Sequence, residues 1–216
     1  AQKTMVNFSL EGFTFSNLNL DGVPYTTVHI EGTFLPNDMG APDLPGMSRY
    51  IAIPQEAGVT LIIKNTRTVK YDNIEMAPAT RIPLDTEPEL IYRKNTEIYS
   101  RNAFYPESPV IVSQPSKIRG VDVVQVGVTP FQYNPVTKEL IVYRDIEFEL
   151  VKQGGNGHIG EDRLRSRWWD PMIRDMLLNY QSLPSVKYPV ASPGETLDYE
   201  YLIITPDNTD FLAWAD

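Results

Sequence analysis

The sequence predicts a mainly β fold, an antiparallel β-sandwich of the jelly-roll kind, over residues 1–151. Short segments rich in Val, Ile, Thr, Phe and Tyr follow one another up to about residue 150, and these residue types favour strands. Gly, Pro, Asn and Asp separate them, which is the turn chemistry of antiparallel sheets. No helical period is visible before about residue 165. The pattern is carried by TMVNFSLEGFTFSNLNL, YTTVHIEGTF, SRYIAIP, GVTLIIKNTRTVKY, SPVIVSQ, VDVVQVGV and KELIVYRDIEFEL.

A β-hairpin is the sharpest local prediction. Two apolar runs, 121–133 and 139–150, flank a turn that begins at Asn134 and Pro135. The Asn134 side chain can bond the backbone of the turn, and Pro135 presets φ at the first central position. Along the second arm, side chains alternate between two faces. We expect an apolar face in the core, with Ile146, Phe148 and Leu150, and a solvated face with Glu147 and Glu149.

Four further segments follow the predicted sandwich. Residues 152–167 contain three glycines within four positions and then several arginines, which predicts a flexible, exposed connector. Residues 168–180 predict a helix, and the Pro/Ser-rich residues 181–200 predict a second linker. Residues 201–216 have the pattern of a buried strand followed by the start of a helix. That order is typical of the opening of an α/β domain.

The predicted helix at 168–180 is amphipathic. Asp170 followed by Pro171 is typical of a helix start, with Asp170 at the N-cap and proline in the first helical position. Apolar residues then recur at intervals of four and form a wide stripe. We expect this stripe to dock on another surface. Its members are Trp168, Trp169, Met172, Ile173 and Met176.

Composition excludes several classes of function for this chain. It has no cysteine, and therefore no disulfide, thiolate zinc site or cysteine nucleophile of its own. A formal charge of −9 without an obvious basic face argues against nucleic-acid binding. No apolar run is long enough for a transmembrane segment. His29 and His158 lack neighbours suited to catalysis, and we predict no metal site, since turn chemistry explains the oxygen-rich loops.

Two groups of basic residues are candidate sites. Lys117 and Arg119 lie just before a predicted strand, with Gly120 next. They are either solvated loop charges or an exposed loop shaped like a protease substrate, since exposed loop tips are preferred sites of nicking. Candidate cleavage sites in the connector and second linker are Arg163, Arg165, Arg167 and Lys187.

Three stretches together resemble the N-terminal propeptide of gingipain-type cysteine proteases. They are GAPDLPGMSRYIAIP at 40–54, TPFQYNPVTKELIVYRDIEFEL at 129–150 and WWDPMIRDMLLNY at 168–180. The hairpin motif QYNPVTK is the specific match, and the other two support it. YEYLIITPDNTDFLAWAD, residues 199–216, is similar to the first strand and helix of the catalytic domain in that family.

The resemblance implies a prodomain of an exported zymogen, acting as intramolecular chaperone and inhibitor of a cognate catalytic domain. In the arginine-specific members a propeptide arginine occupies the substrate pocket, and counting back from the hairpin places it at Arg119, beside Lys117. The family's catalytic Cys and His would lie downstream. The expected location is the periplasm, the cell surface or the extracellular space. The resemblance implies no cofactor for this chain. Calcium is possible only in the catalytic domain.

Two alternatives remain at this point. Sandwiches of this kind also bind sugars through exposed aromatic rings, and Tyr92, Tyr99 and Tyr105 could form such a platform. The chain could also be the prodomain-like region of a non-proteolytic relative, for example a secretion-system component.

Overall fold

A computed structural model describes residues 2–33, 38–80, 86, 90–161 and 164–186. It confirms the predicted mainly antiparallel β fold. The strands are β1 (Gln2–Ser9), β2 (Thr14–Leu20), β3 (Val23–His29), β4 (Met47–Ala52), β5 (Ala57–Tyr71), β6 (Val110–Val112), β7 (Ser116–Ile118), β8 (Val121–Val128), β9 (Phe131–Asn134) and β10 (Glu139–Gly154). The helices are α1 (Thr96–Tyr99) and α2 (Asp170–Met176), followed by a 3-10 turn, Tyr180–Ser182.

The first sheet is built around β10. Strand β5 pairs antiparallel with β10 from Leu140 to Gly154, while β9 and β1 pair in succession along the other edge of β10. Two register shifts interrupt the β5 pairing, one of them between Tyr143 and Asp145. Such irregularities bend and twist a strand, and here they lie in the longest strand of the sheet.

The second sheet is built around β8 and packs face to face on the first. Strand β4 pairs with one edge of β8, and β6 and β7 pair in succession with the other. The core between the two sheets is apolar and buried, as expected for a sandwich. From β8 it contains Val124, Val126 and Val128, and from β10 the predicted inward residues Ile146, Phe148 and Leu150.

A second cluster extends the core beneath the β2–β3 hairpin. Val28 of that hairpin packs with Phe131 and Tyr133 of β9 and with Met76. The Tyr133 hydroxyl donates to the Ile74 carbonyl at 2.9 Å, and burial raises the pKa of Tyr133 to about 12. Because this tyrosine is fully buried with its hydroxyl satisfied, it fixes the position of the β9–β10 hairpin on the rest of the fold.

The β9–β10 hairpin is shorter than the predicted pair 121–133 and 139–150. Residues 121–128 form β8, which belongs to the other sheet, and only β9 pairs with β10 as the hairpin's first arm. The predicted turn chemistry is correct: the Asn134 side-chain oxygen accepts from the backbone N–H groups of Val136 at 3.0 Å and Thr137 at 3.3 Å.

The prediction of a solvated glutamate edge is wrong for Glu149, which is only 4% exposed. β10 is a central strand, so lysines from both neighbouring strands reach this carboxylate: Lys3 Nζ lies 2.9 Å away and Lys64 Nζ 3.3 Å away. The bonds to Lys3 and Lys64 lower the pKa of Glu149, against the opposing effect of burial.

Residues 153–158 are exposed, as the predicted connector requires, but other parts of 152–167 are buried. Strand β10 continues to Gly154, and Lys152, Ile159 and Arg165 are buried. The first compact unit of the chain runs from Ala1 to Pro184. The second unit is Ser185–Asp216, and most of the predicted linker and the whole 201–216 strand–helix lie outside the described residues.

One short element was not predicted. Helix α1 has four residues, too few for a visible helical period, and it is capped by Asn95, whose side chain accepts from the Glu97 N–H at 3.0 Å. Within the part of the chain that the structure describes, no helix is long and apolar enough to cross a membrane.

Candidate functional site

Arg119 and Gly120 form the tip of a hairpin that joins β7 directly to β8. Their φ values are +47° and +78°, the pair of left-handed residues that a two-residue type I′ loop requires. Glycine adopts this conformation freely, whereas an L-residue with a side chain pays roughly 1–2 kcal/mol. Arg119 is exposed at this tip. The backbone therefore presents its side chain from a tight turn that is unusual for arginine.

Gly120 lies close to residues that follow β10 in the chain. A Cβ atom at this position would lie 2.9 Å from the Glu161 Cβ and 2.9 Å from the Leu164 Cδ1. Real Cβ atoms do not approach other carbons so closely, so a side chain at this position would force Glu161 or Leu164 to move, in addition to the strain at positive φ. The turn thus packs against the segment that follows β10.

The two candidate cations of the hairpin have different environments. The Arg119 guanidinium carbon lies 4.2 Å from the centroid of the Trp169 ring, within the range of a cation–π contact. Lys117 Nζ lies 3.4 Å from a carboxylate oxygen of Asp122, whose second oxygen accepts from the Glu56 N–H at 3.0 Å. The charge of Lys117 is therefore paired with a carboxylate, and that of Arg119 lies over an indole ring.

Residues 164–184, which we call the C-terminal strap, carry Trp169. Three apolar side chains of the strap, Ile173, Leu177 and Leu183, are buried against Val121 and Val123 of β8. These two valines lie on the face of β8 opposite to the sandwich core. The strap thus covers this end of the outer face of β8, the strand that begins directly after the Arg119 turn.

The predicted docking stripe divides between two environments. Ile173 is buried in the chain's own core, whereas Met176 is half-buried and lines a small apolar pocket beside it. Trp168, Trp169 and Met172 are 63%, 38% and 52% exposed. The stripe predicted as one docking face is therefore shared, because α2 is only seven residues long and one side of it packs on β8.

Asp170 does not cap the helix as predicted. It is the first residue of α2, and its carboxylate accepts from Arg165, with Nε at 3.0 Å and Nη2 at 2.6 Å, and from the Tyr180 hydroxyl at 3.0 Å. Arg165 also donates to the Pro184 carbonyl. Both charged side chains are almost completely buried, and their further bonds to Tyr180 and Pro184 join the two ends of the strap.

Burial at this ion pair corrects one candidate cleavage site. Arg165 is 7% exposed, and a protease could reach it only after the strap had opened. Arg167 is exposed, with its guanidinium carbon 4.8 Å from the centroid of the Trp168 ring. The other two candidates, Arg163 and Lys187, lie outside the described residues.

Asn179, which sequence reasoning missed, fastens the strap to strand β4. Its side-chain amide bonds both backbone groups of Ala52: the Ala52 N–H donates to Oδ1 at 2.8 Å, and Nδ2 donates to the Ala52 carbonyl at 2.9 Å. The next contact is between backbones, from the Leu178 N–H to the Tyr50 carbonyl at 2.9 Å. These partners are more than 120 residues apart, and no local pattern marks them.

The three tyrosines of the carbohydrate-binding alternative are not an exposed platform. All three are half-buried. The Tyr99 hydroxyl donates to the Met76 carbonyl at 3.0 Å, and the Tyr105 hydroxyl to Asp38 at 3.2 Å. Tyr99 and Tyr105 pack on the core cluster around Tyr133, and burial raises the pKa of Tyr105 to about 12. Rings held in this way present little flat face for stacking on a sugar.

The two histidines and the acidic loops do not assemble a catalytic or metal site among the described residues. The His29 ring is exposed and lies 3.1 Å from the Thr27 hydroxyl. His158 is exposed, and its backbone carbonyl accepts from the Gln55 N–H. No three His, Cys, Asp or Glu side chains converge in the described ranges.

Comparison with known proteins identifies the family. The family model Propeptide_C25 matches residues 2–161, which is most of the chain. The chain belongs to the Propeptide_C25 family. Membership confirms the resemblance carried by the motifs at 40–54 and 129–150, and it makes residues 2–161 a propeptide domain.

Relatives of this Propeptide_C25 chain include gingipains of Porphyromonas gingivalis. Gingipain R1 is 28% identical over 183 residues, covering 82% of this chain and 18% of that protein. Gingipain R2 is 27% identical over 216 residues, which cover 98% of this chain and 29% of that protein. Lys-gingipain is 24% identical over 172 residues, which cover 76% of this chain and 10% of that protein. The chain thus spans less than a third of the length of these relatives.

Two solved structures share the propeptide fold. A complex of the pro- and mature domains of RgpB from Porphyromonas gingivalis matches with a TM-score of 0.71 and 20% identity, covering 82% of this chain and 93% of that chain. A structure addressing the zymogenic latency of gingipain K from the same organism matches with a TM-score of 0.57 and 23% identity. The match covers 70% of this chain and 86% of that chain.

Proposed function

We propose that this chain is the prodomain of an exported, gingipain-like cysteine endopeptidase, that it keeps the catalytic domain latent, and that Arg119 occupies the substrate pocket of that domain. The observation that carries the proposal is an exposed arginine at the tip of a two-residue turn, held in a left-handed conformation. Residues kept in sparsely populated backbone conformations cluster at functional sites and ligand clamps.

The architecture suits an inhibitor because the tip is part of a hairpin and not of a long loop. β7 and β8 pair directly up to the turn, from Ser116↔Val123 to Ile118↔Val121. A preorganised turn loses little conformational entropy on binding, which is where many flexible ligands lose affinity. The comparison structures describe a pro–mature complex for RgpB and zymogenic latency for gingipain K. We transfer both properties to this chain as part of the proposal.

The same geometry would protect the turn from cleavage. The bond after Arg119 lies between two residues with positive φ, whereas extended backbone has φ near −120° to −140°. Reaction requires the scissile carbonyl to reach a near-attack geometry. Reaching it would mean moving Gly120, which lies so near Glu161 and Leu164 that a Cβ atom on it would be 2.9 Å from each. An arginine presented in this way binds without being consumed.

Further parts of the proposal concern folding and maturation. The sandwich buries a core of its own, so it can fold first and serve as an intramolecular chaperone for the catalytic domain. Trp168 and Met172, which are exposed beside Trp169, would contact that domain. Among the described candidates we favour Arg167 as a maturation site, since Arg165 is buried; Arg163 and Lys187 remain candidates.

A titration tests the proposed function. The 216-residue chain is added to the separately produced mature cognate protease, and the hydrolysis of an arginine-containing peptide substrate is followed. We expect inhibition that saturates at one chain per enzyme and that rising substrate relieves. A fully active enzyme in the presence of excess chain would refute the latency role. A downstream domain without peptidase activity would favour the non-proteolytic alternative.

We expect the Arg119–Gly120 bond to survive incubation with the cognate protease. The tight turn and the wedged glycine keep this bond out of an extended, reactive conformation. Intact-mass spectrometry of the chain over time is the measurement. The matched control is a linear peptide of residues 114–124, which carries the same bond without the fold and should be cut readily. Cleavage of the folded chain at the rate of the peptide would make Arg119 a substrate residue instead of an inhibitor residue.

A further inference from the structure

The C-terminal strap meets the Arg119 turn at three points. Leu164 abuts the Gly120 backbone, Ile173 packs on Val121, and the Trp169 ring lies against the Arg119 guanidinium. The first two contacts fix the backbone of the turn. The third acts on the side chain that is proposed to enter the protease pocket.

We propose that Trp169 is a positioning residue for Arg119, an inference that rests on the proposed inhibitory function. The indole holds the guanidinium in the orientation that the catalytic domain meets, and binding affinity depends on that orientation. Trp169 itself would act through Arg119 and not chiefly as a contact with the protease.

The chemistry of the contact leaves Arg119 available to a partner. The proposed contact is through the face of the guanidinium plane, whereas its five N–H donors point outward within that plane. A carboxylate binds arginine through those in-plane donors, in a bidentate arrangement. The indole and a carboxylate in a substrate pocket would therefore occupy different sides of the same group. An arginine restrained on one face loses fewer rotamers when it is captured.

The strap holds Trp169 firmly enough for this role. The ring belongs to the residue directly before α2, whose first residue, Asp170, is locked by Arg165 and Tyr180. One turn further on, Ile173 is buried, and Asn179 is bonded to β4 at both ends of its amide. Positioning of Arg119 thus depends on residues that are distant from it in sequence but anchored on the same sheet.

Trp168 is the matched comparison. It adjoins Trp169, is more exposed at 63%, and stacks with Arg167 instead of Arg119. Any loss of affinity that comes simply from removing an exposed indole should occur for Trp168 as well. A dependence on the aromatic face should occur only for Trp169.

The test compares variants of the full chain in binding to the cognate catalytic domain. We expect Trp169→Ala to weaken binding roughly three- to thirtyfold, the range that cation–π energies imply. Trp169→Phe should restore most of the affinity, because it retains an aromatic face, whereas Trp169→Leu, which has apolar bulk only, should not. For Trp168, Phe and Leu should behave alike. Thermal unfolding midpoints check that the variants remain folded.

Three results would overturn the inference: no effect of Trp169→Ala, tighter binding in that variant, or equal affinity of Trp169→Phe and Trp169→Leu. Tighter binding would mean that the stack must break before Arg119 enters the pocket. Failure of the proposed function is distinguishable, because it would appear as unchanged binding in Arg119→Asn, whatever happens at Trp169. Asparagine tolerates the left-handed backbone of the turn, so that variant removes the cationic side chain without straining the turn.

Discussion

Replacing Arg119 with alanine is expected to raise the inhibition constant for the cognate protease by about a hundredfold or more. Hot-spot side chains at protein interfaces contribute roughly 2–4 kcal/mol on truncation, and arginine is among the commonest of them; about 2.8 kcal/mol corresponds to a hundredfold change. The arginine projects from a turn whose backbone is fixed by β-pairing and by the Gly120 contacts, so no neighbouring side chain can replace it. Steady-state inhibition with a peptide substrate measures the effect.

Two further variants make this result interpretable. Arg101→Ala removes another exposed arginine, next to α1 and outside the strap and the Arg119 turn, and should leave inhibition unchanged. Arg119→Asn should match Arg119→Ala while keeping a residue that accepts positive φ, which separates loss of the cation from backbone strain. An inhibition constant within threefold of the original in both Arg119 variants would remove this residue from the pocket.

Replacing Asp170 with alanine is expected to lower the free energy of unfolding by about 3–5 kcal/mol. The carboxylate is the partner of a guanidinium that is almost fully buried, and its loss leaves an uncompensated charge in the interior of the strap. The strap covers Val121 and Val123, so inhibition should weaken along with stability. Urea unfolding followed by circular dichroism, together with the inhibition assay, measures both effects.

Asp175→Ala is the matched control for that change. It removes a carboxylate from an exposed position of the same helix and should alter stability by less than about 0.5 kcal/mol. The double replacement Arg165→Met with Asp170→Leu should recover most of the lost stability, because apolar pairs often substitute for buried ion pairs at little cost. A loss below about 1 kcal/mol for Asp170→Ala would show that the strap does not depend on this pair.

Alternation along the strands made most of the sandwich predictable. Ile146, Phe148 and Leu150 face the core as expected, because period-two burial is set locally by the pleat. Glu149 was misplaced for a different reason. Its burial depends on lysines from β1 and β5, which reach it only because β10 is central. Strand order is a long-range property, and the polarity of one strand does not reveal it.

At the candidate site, too, the strap depends on long-range contacts that a local sequence pattern does not reveal. Its apolar stripe was correctly seen as needing a surface, but that surface is β8 of the same chain, so Ile173 contacts residues about fifty positions earlier. The position of Arg119 was predicted from the family resemblance. A local signal for its conformation was also available: a glycine at the second position of a two-residue hairpin loop is typical of a type I′ turn. The stack on Trp169 depends on tertiary packing that no local pattern contains.

Competition at the catalytic pocket tests the central claim most directly. The mature cognate protease is incubated with a reversible, arginine-based active-site ligand at several concentrations, and the affinity of the 216-residue chain is measured at each. If Arg119 fills the substrate pocket, the apparent dissociation constant of the chain rises in proportion to ligand concentration, since both need the same site. An affinity of the chain that is independent of the ligand would place its binding elsewhere and contradict the proposed mechanism of latency.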